Sequence, residues 1–335
     1  MKNITALAFL VIINCAFIIN NSLFGQEAGK DHFAFSTGTP VKKNRYTFSV
    51  SPQAGIVYGQ AFEYVYPLQG QTKAKLLSEL KWDMKPVFYT GLQLDFEPSD
   101  TMRGIGFFSS MSFKIGIPKD SGIMEDRDWQ SAGNNTLTNF SSHTNRTNNF
   151  YILDAALGVS LPIKSIICIK PFISGSWTHF SFSGRDGYYE YVDFYPPKGS
   201  FSGDVIKYKQ DWFLAAAGLS VATNIFYPFT VDLSFQISPL TYCIALDEHL
   251  KTKTIYNDYT SMGLFFEPKL NFAFNMRRIA LSLNAAYRRI GKTSGITYEN
   301  EKTSDGYNKK SINQNKSGAG LSILDVRFLV KIIIF

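Results

Sequence analysis

Phe229-Thr230-Val231-Asp232-Leu233-Ser234-Phe235-Gln236-Ile237-Ser238 is the stretch on which the fold turns. Apolar side chains hold every odd position and polar ones every even position, and a strand sends successive side chains to opposite faces. The pattern returns further on. Leu264, Phe266, Leu270, Phe272 and Phe274 alternate with Phe265, Glu267, Lys269, Asn271 and Ala273. Ile279, Leu281, Leu283, Ala285 and Tyr287 do so against Ala280, Ser282, Asn284, Ala286 and Arg288. Near the end, Leu324, Val326, Phe328, Val330, Ile332 and Ile334 form an apolar face, with Asp325, Arg327 and Lys331 on the other. Apolar outside and polar inside is the dyad of a membrane barrel, although a soluble sandwich alternates similarly. Charged residues inside long strands and the terminal Phe335 favour the barrel, even though Phe335 falls on the mixed face.

Composition agrees with this reading. The 335 residues include 29 Phe and 18 Tyr, yet mean hydropathy is only −0.07, as expected where strands give half their residues to lipid. Residues 1–25 read as a signal peptide: Lys2 precedes an apolar run from Ile4 to Ile19, with cleavage after Gly25. Residues 26–335 then form one domain. Short turns are expected near Pro98 to Asp100, Pro162 to Ser165, Asn224 to Pro228 and Asn275 to Arg278. Long loops are expected near Tyr66 to Thr72, Pro118 to Asn148, Arg185 to Val205, Asp247 to Asp258 and Thr293 to Asn315. The layout is all-β: a ten-stranded antiparallel transmembrane β-barrel with long extracellular loops and both termini periplasmic. The formal charge of +7 is spread along the chain without a basic cluster, so no nucleic-acid partner is expected. Cys15 goes with the signal, and Cys168 and Cys243 fall in different strands, where two buried thiols are expected rather than a disulfide.

Two short acidic motifs carry chemistry: Asp126-Arg127-Asp128, followed by Trp129, and Asp247-Glu248-His249. Such patterns also arise by chance, and it is the strands around them that give them weight. In an extended strand each motif turns its first and third members to one face. Facing each other, the two would set three carboxylates around one imidazole. A carboxylate beside His fixes its tautomer, and carboxylates opposite could hold a water for it to deprotonate. Outward residues are odd-numbered up to Ile237, but Leu240, Tyr242, Ile244 and Leu246 are even-numbered. A bulge at Ser238-Pro239 would reset the register and turn Thr241, Cys243, Ala245, Asp247 and His249 inward. Serine hydrolysis lacks a G-x-S-x-G, and zinc hydrolysis lacks an H-E-x-x-H or clustered His and Cys. His32 and His143 read as loop residues, and Trp82, Trp177 and Trp212 as girdle or wall aromatics.

With Met124-Glu125-Asp126-Arg127-Asp128-Trp129 in one outer loop and Asp247-Glu248-His249 in another, the chain resembles the omptins, outer-membrane proteases of Gram-negative bacteria. Gly59 to Tyr66, Tyr208-Lys209-Gln210 and Gly318-Ala319-Gly320-Leu321 match more weakly. The resemblance implies a cell-surface endopeptidase that takes peptide or protein substrates, often at paired basic residues, beside outer-membrane lipid, and a monomer is the default for a small closed barrel. It implies that Asp247 orients His249 as general base while Asp126 and Asp128 hold the water, with no metal and no cofactor. Glu63 aligns with an acid at the floor of the family's basic pocket. The pocket's second acid would fall where Ala245 stands, and a further acidic contact near Asn139. Lipopolysaccharide activates the family, but Gly175-Ser176-Trp177-Thr178-His179-Phe180 departs from the stretch that should help bind it. The alternative is a catalytically weak barrel acting as an adhesin or invasin through its loops. A passive pore is disfavoured, because a ten-strand barrel is filled by its own side chains.

Overall fold

The structure, a computed structural model, describes residues 45–67, 76–101, 104–129, 136–163, 166–192, 195–226, 228–276, 278–303 and 306–335. The expected signal peptide, His32 and most of the loop expected from Tyr66 to Thr72 lie outside them. The strand segments are β1 (Tyr46–Val65), β2 (Ser78–Pro98), β3 (Gly106–Gly116), β4 (Lys119–Asp128), β5 (Asn139–Ile163), β6 (Ile167–Tyr191), β7 (Lys198–Ser200) and β8 (Asp204–Phe226). They continue with β9 (Phe229–Ser238), β10 (Thr241–His249), β11 (Thr254–Ser261), β12 (Phe265–Asn275), β13 (Ile279–Ile290), β14 (Ser294–Thr303) and β15 (Gly306–Ile333). All pair antiparallel, and β15 returns to β1, so the sheet closes into a barrel.

One path round the ring runs β1, β2, β3, β5, β6, β8, β9, β12, β13, β15. Nearer the other end β4, β10, β11 and β14 take the places of β3, β9, β12 and β13. Ten strands were expected, with a bulge in the seventh. The fifteen segments seen among the described residues reflect four breaks and the short β7, which adds to β6. The breaks fall at Pro118, Pro239, Gly263 and Gly291, residue types that leave a ladder or weaken it.

The expected long loops shrink accordingly. Most of Pro118 to Asn148 is β4 and β5, and β10 and β11 are joined by residues 250–253 alone. Their side chains are polar because the strands continue past the apolar band, and hydropathy alone cannot separate such a strand from a loop. The bulge at Ser238-Pro239 is present. Ala217 pairs with Ile237, whereas Leu214 pairs with Thr241, a slip of one residue. Ile237 and Leu240 are consequently both exposed, and Thr241, Cys243 and Ala245 are buried.

Outside, Phe107, Ile173, Leu219, Leu233, Phe272, Leu283 and Phe328 belong to a continuous exposed apolar surface, the face such a barrel gives to lipid. Phe335 joins it, stacked on Phe48 beyond the end of β15, where strand parity no longer binds it. Inside, Arg288 ties the walls together. It donates to Glu267 on β12, Asp154 on β5, and Ser176 and Thr178 on β6. Lys114 and Tyr89 meet on Asp325. A buried charge survives only with such full pairing.

Above this layer Trp82 stacks on Tyr208 and Phe182, with centroids 5.4 and 5.6 Å apart. Trp212 is buried beside them and donates to Gln210, whose Nε2 reaches across the lumen to the Phe62 carbonyl at 2.8 Å. Trp82 and Trp212 are therefore lumen plugs, not girdle residues. Each such ring removes about 150–250 Å2 from water, roughly 4–6 kcal/mol before entropy is subtracted. The plug is also the floor of what lies above it. Cys168 and Cys243 are both buried and free.

Candidate active site

Asp126 and Asp128 stand on strand β4, not in a loop. Asp126 lies between Leu80 of β2 and Ser141 of β5, and Asp128 between Ser78 and Asn139. Ser78 Oγ donates to Asp126 Oδ1 at 3.3 Å, and Asn139 Nδ2 to Asp128 Oδ2 at 3.5 Å. Neither Ser78 nor Asn139 was expected to support the pair. Both contacts come from neighbouring strands, which spacing within one motif does not reveal.

On the opposite wall, β10 is separated from β4 by β5, β6 and β8. There Asp247, 2% exposed, faces inward and accepts from His249 Nε2 at 2.6 Å. Tyr256 of β11 meets the imidazole edge-on, with centroids 5.5 Å apart. The expected register shift is what brings this pair inside.

The level of the site is marked by what stands outside it. Lys81 pairs with Glu125, Arg127 also reaches Glu125, and Lys207 and Lys209 lie outward on β8 beside Asp247. These charges place the site beyond the apolar band. Trp177 and His179 also point outward, both on Asp211 Oδ1 at 3.0 and 2.9 Å.

Electrostatics follow from packing three acids, Asp126, Asp128 and Asp247, beside one imidazole. Burial, then Asp128, pushes the Asp126 carboxyl up to about 8, with His249 opposing. Burial also raises Asp128, against hydrogen bonds from Ser78 and Asn139. Burial by itself would lower His249, but Asp247 first, then Asp126 and Asp128, outweigh it and lift the imidazole to about 9. Carboxylates on β4 and an imidazole on β10 thus act on each other across the mouth.

Glu63 also carries a buried carboxyl. It faces inward on β1 at 3% exposure, and Oε2 has no hydrogen-bond partner among the described residues. Burial, then Asp247, Asp258 and Asp126, raises it well above the usual range. Ala245 also faces inward and is buried. Asp258, absent from the expected site, is its ladder partner on β11. His143, expected in a loop, is buried on β5. One ring nitrogen meets Ser141 Oγ at 3.0 Å and the other the Asp186 carbonyl. Among the described residues no group of three or more His, Cys, Asp or Glu is disposed to hold a metal ion.

A family model described as the omptin family matches residues 44–328. The chain belongs to the omptin family. Its barrel is similar to the crystal structure of the outer membrane protease OmpT from Escherichia coli, with a TM-score of 0.76 and 17% identity. That match covers 86% of this chain and 97% of that one. The translocator domain of the autotransporter NalP from Neisseria meningitidis covers 97% of this chain and 96% of its own at a TM-score of 0.30 and 8% identity, too little shared geometry to bear on the fold. No curated protein matches. As an omptin, the chain is a bacterial outer-membrane protease acting on peptides or proteins.

Proposed function

We propose that this omptin is an endopeptidase in which His249 is the general base. The observation that carries the reading is the 2.6 Å contact of His249 Nε2 with Asp247 Oδ2, on the wall facing Asp126 and Asp128. With Nε2–H donated to Asp247, the Nδ1 lone pair is the one available to take a proton. Water held between the imidazole and the Asp126–Asp128 pair then loses its proton to Nδ1 as it attacks the peptide carbonyl. No covalent intermediate, metal or cofactor takes part. General-base assistance of this kind is worth about 10²–10⁴-fold.

The elements around the site support this assignment. The aromatic plug closes the lumen beneath it, so a substrate enters from one end and cannot pass through. That end is the extracellular one in this reading, with the basic side chain of the substrate at Glu63. The chain acts as a monomer. The test is peptide cleavage by the refolded barrel in detergent, with and without lipopolysaccharide, with products mapped by mass spectrometry. His249→Ala and Asp126→Asn should each lose at least 100-fold in kcat/KM. Folded wild type that cleaves no member of a broad peptide library would overturn the reading in favour of an adhesin.

A further inference from the structure

The second acid expected two residues before Asp247 is missing, because Ala245 occupies that place. In the antiparallel ladder between β10 and β11, however, Ala245 stands directly opposite Asp258. Side chains of such a pair leave the sheet on the same face with Cβ atoms about 4.5–5.5 Å apart. Asp258 is 3% exposed and shares the inward face of β11 with Thr254 and Thr260. Only a methyl group lies across from it on β10, while on its other side Thr297 of β14 is its ladder partner. Two like charges in directly opposed positions destabilise a sheet. One acid fits this pair comfortably, and here it sits on β11.

Two buried carboxylate oxygens on the inward faces of β1 and β11 have no partner of their own, the Asp258 carboxyl being otherwise held by Thr297 and Ser317. They are Oε2 of Glu63 and Oδ1 of Asp258, and both lack a hydrogen bond among the described residues. A buried acceptor left unmade costs free energy, more so if charged. Gln210 does not relieve Glu63, since its amide nitrogen is spent on Phe62 and Tyr208. The corner thus presents acceptors suited to a cation bearing several N–H groups.

We infer that Asp258 is the second carboxylate of a pocket whose first is Glu63, and that the pair receives the guanidinium or ammonium group of an arginine or lysine in the substrate. The inference rests on the protease reading and supplies the specificity that reading leaves open. A guanidinium presents its donors in a planar fork suited to carboxylates, so arginine should be favoured over lysine.

The experiment compares two peptides that differ in one residue, arginine or its neutral isostere citrulline, with full-length refolded barrels. Wild type should cleave the arginine peptide at least tenfold better in kcat/KM. Asp258→Asn should cut that ratio by about tenfold or more. Moving the acid back across the ladder, with Asp258→Ala and Ala245→Asp together, should restore it. If wild type shows no preference for arginine, or Asp258→Asn retains the preference, Asp258 is not a pocket residue, while the protease reading stands. If folded Asp258→Asn loses both peptides alike, it belongs with the catalytic groups, and the inference also falls. If folded wild type cleaves neither peptide, both readings fall.

Discussion

Asp126→Asn should make the barrel more stable while abolishing cleavage, and the gain should depend on pH. Asp126 titrates near 8 where an ordinary aspartate does so at 3.8. The folded state therefore holds this proton more tightly than the unfolded chain. Such a group leaves stability untouched below about pH 4, where both states are protonated, and erodes it as pH rises until the folded value is passed. Each pH unit of that interval is worth about 1.4 kcal/mol, which sets a ceiling of about 6 kcal/mol. The real figure is lower. Asp126 keeps some contact with solvent, and its attraction for His249 is lost in the variant. A gain of about 2 kcal/mol at pH 8 is expected, within the ceiling set by linkage. Asparagine still accepts from Ser78, so no hydrogen bond is sacrificed at Oδ1. The assay is urea unfolding of both proteins in micelles at pH 4, 6 and 8, followed by tryptophan fluorescence. Equal midpoints at pH 8, or a gap that does not widen with pH, would refute the reasoning.

The pH dependence of cleavage follows from the same groups. His249 must be neutral to act as base and is held near 9 by its acidic neighbours, so kcat/KM should rise close to tenfold per pH unit from pH 6 to pH 8. The apparent value read from the profile belongs to the coupled set, not to His249 alone, and a flat profile over that range would contradict the assignment. Arg288→Met removes the shared partner of Asp154 and Glu267 and should cost about 3–5 kcal/mol in urea unfolding; an unchanged midpoint would show that these carboxylates do not need it. Gly122 has φ of +107°, and a Cβ there would lie 2.8 Å from Asp83 Cβ and 2.9 Å from its Oδ2. Gly122→Ala should therefore lose about 1–3 kcal/mol and loosen the register shift between Asp120 and Ile123 in the β4–β5 ladder, read as a lower Tm; an unaltered Tm would mean that the strand simply shifts.

How much could be read beforehand differs between fold and site. Alternation in β9, β12, β13 and β15 is a local consequence of strand geometry, so the barrel class was legible from single segments. The bulge at Pro239 was legible too, because proline interrupts a ladder wherever it falls. The strands past the apolar band were not. In β4 both faces meet polar surroundings, the lumen on one side and charged surface on the other, so its sequence carries no apolar rhythm. His143, on the equally polar outer part of β5, was misplaced in a loop for the same reason, and Trp82 and Trp212 were set in the wall because a ring inside and a ring outside look alike in sequence.

The barrel, its alternating faces and the two motifs that hold Asp126, Asp128, Asp247 and His249 are legible in the chain alone, because each depends on neighbours one or two residues away. The closed fold is needed to see that β4 and β10 face each other, that Gln210 and the Trp82 stack close the floor, and that Asp258 stands opposite Ala245. Those relations depend on strand register round a closed ring, and register is set by the sum of pairings and bulges over the whole sheet rather than by any one segment.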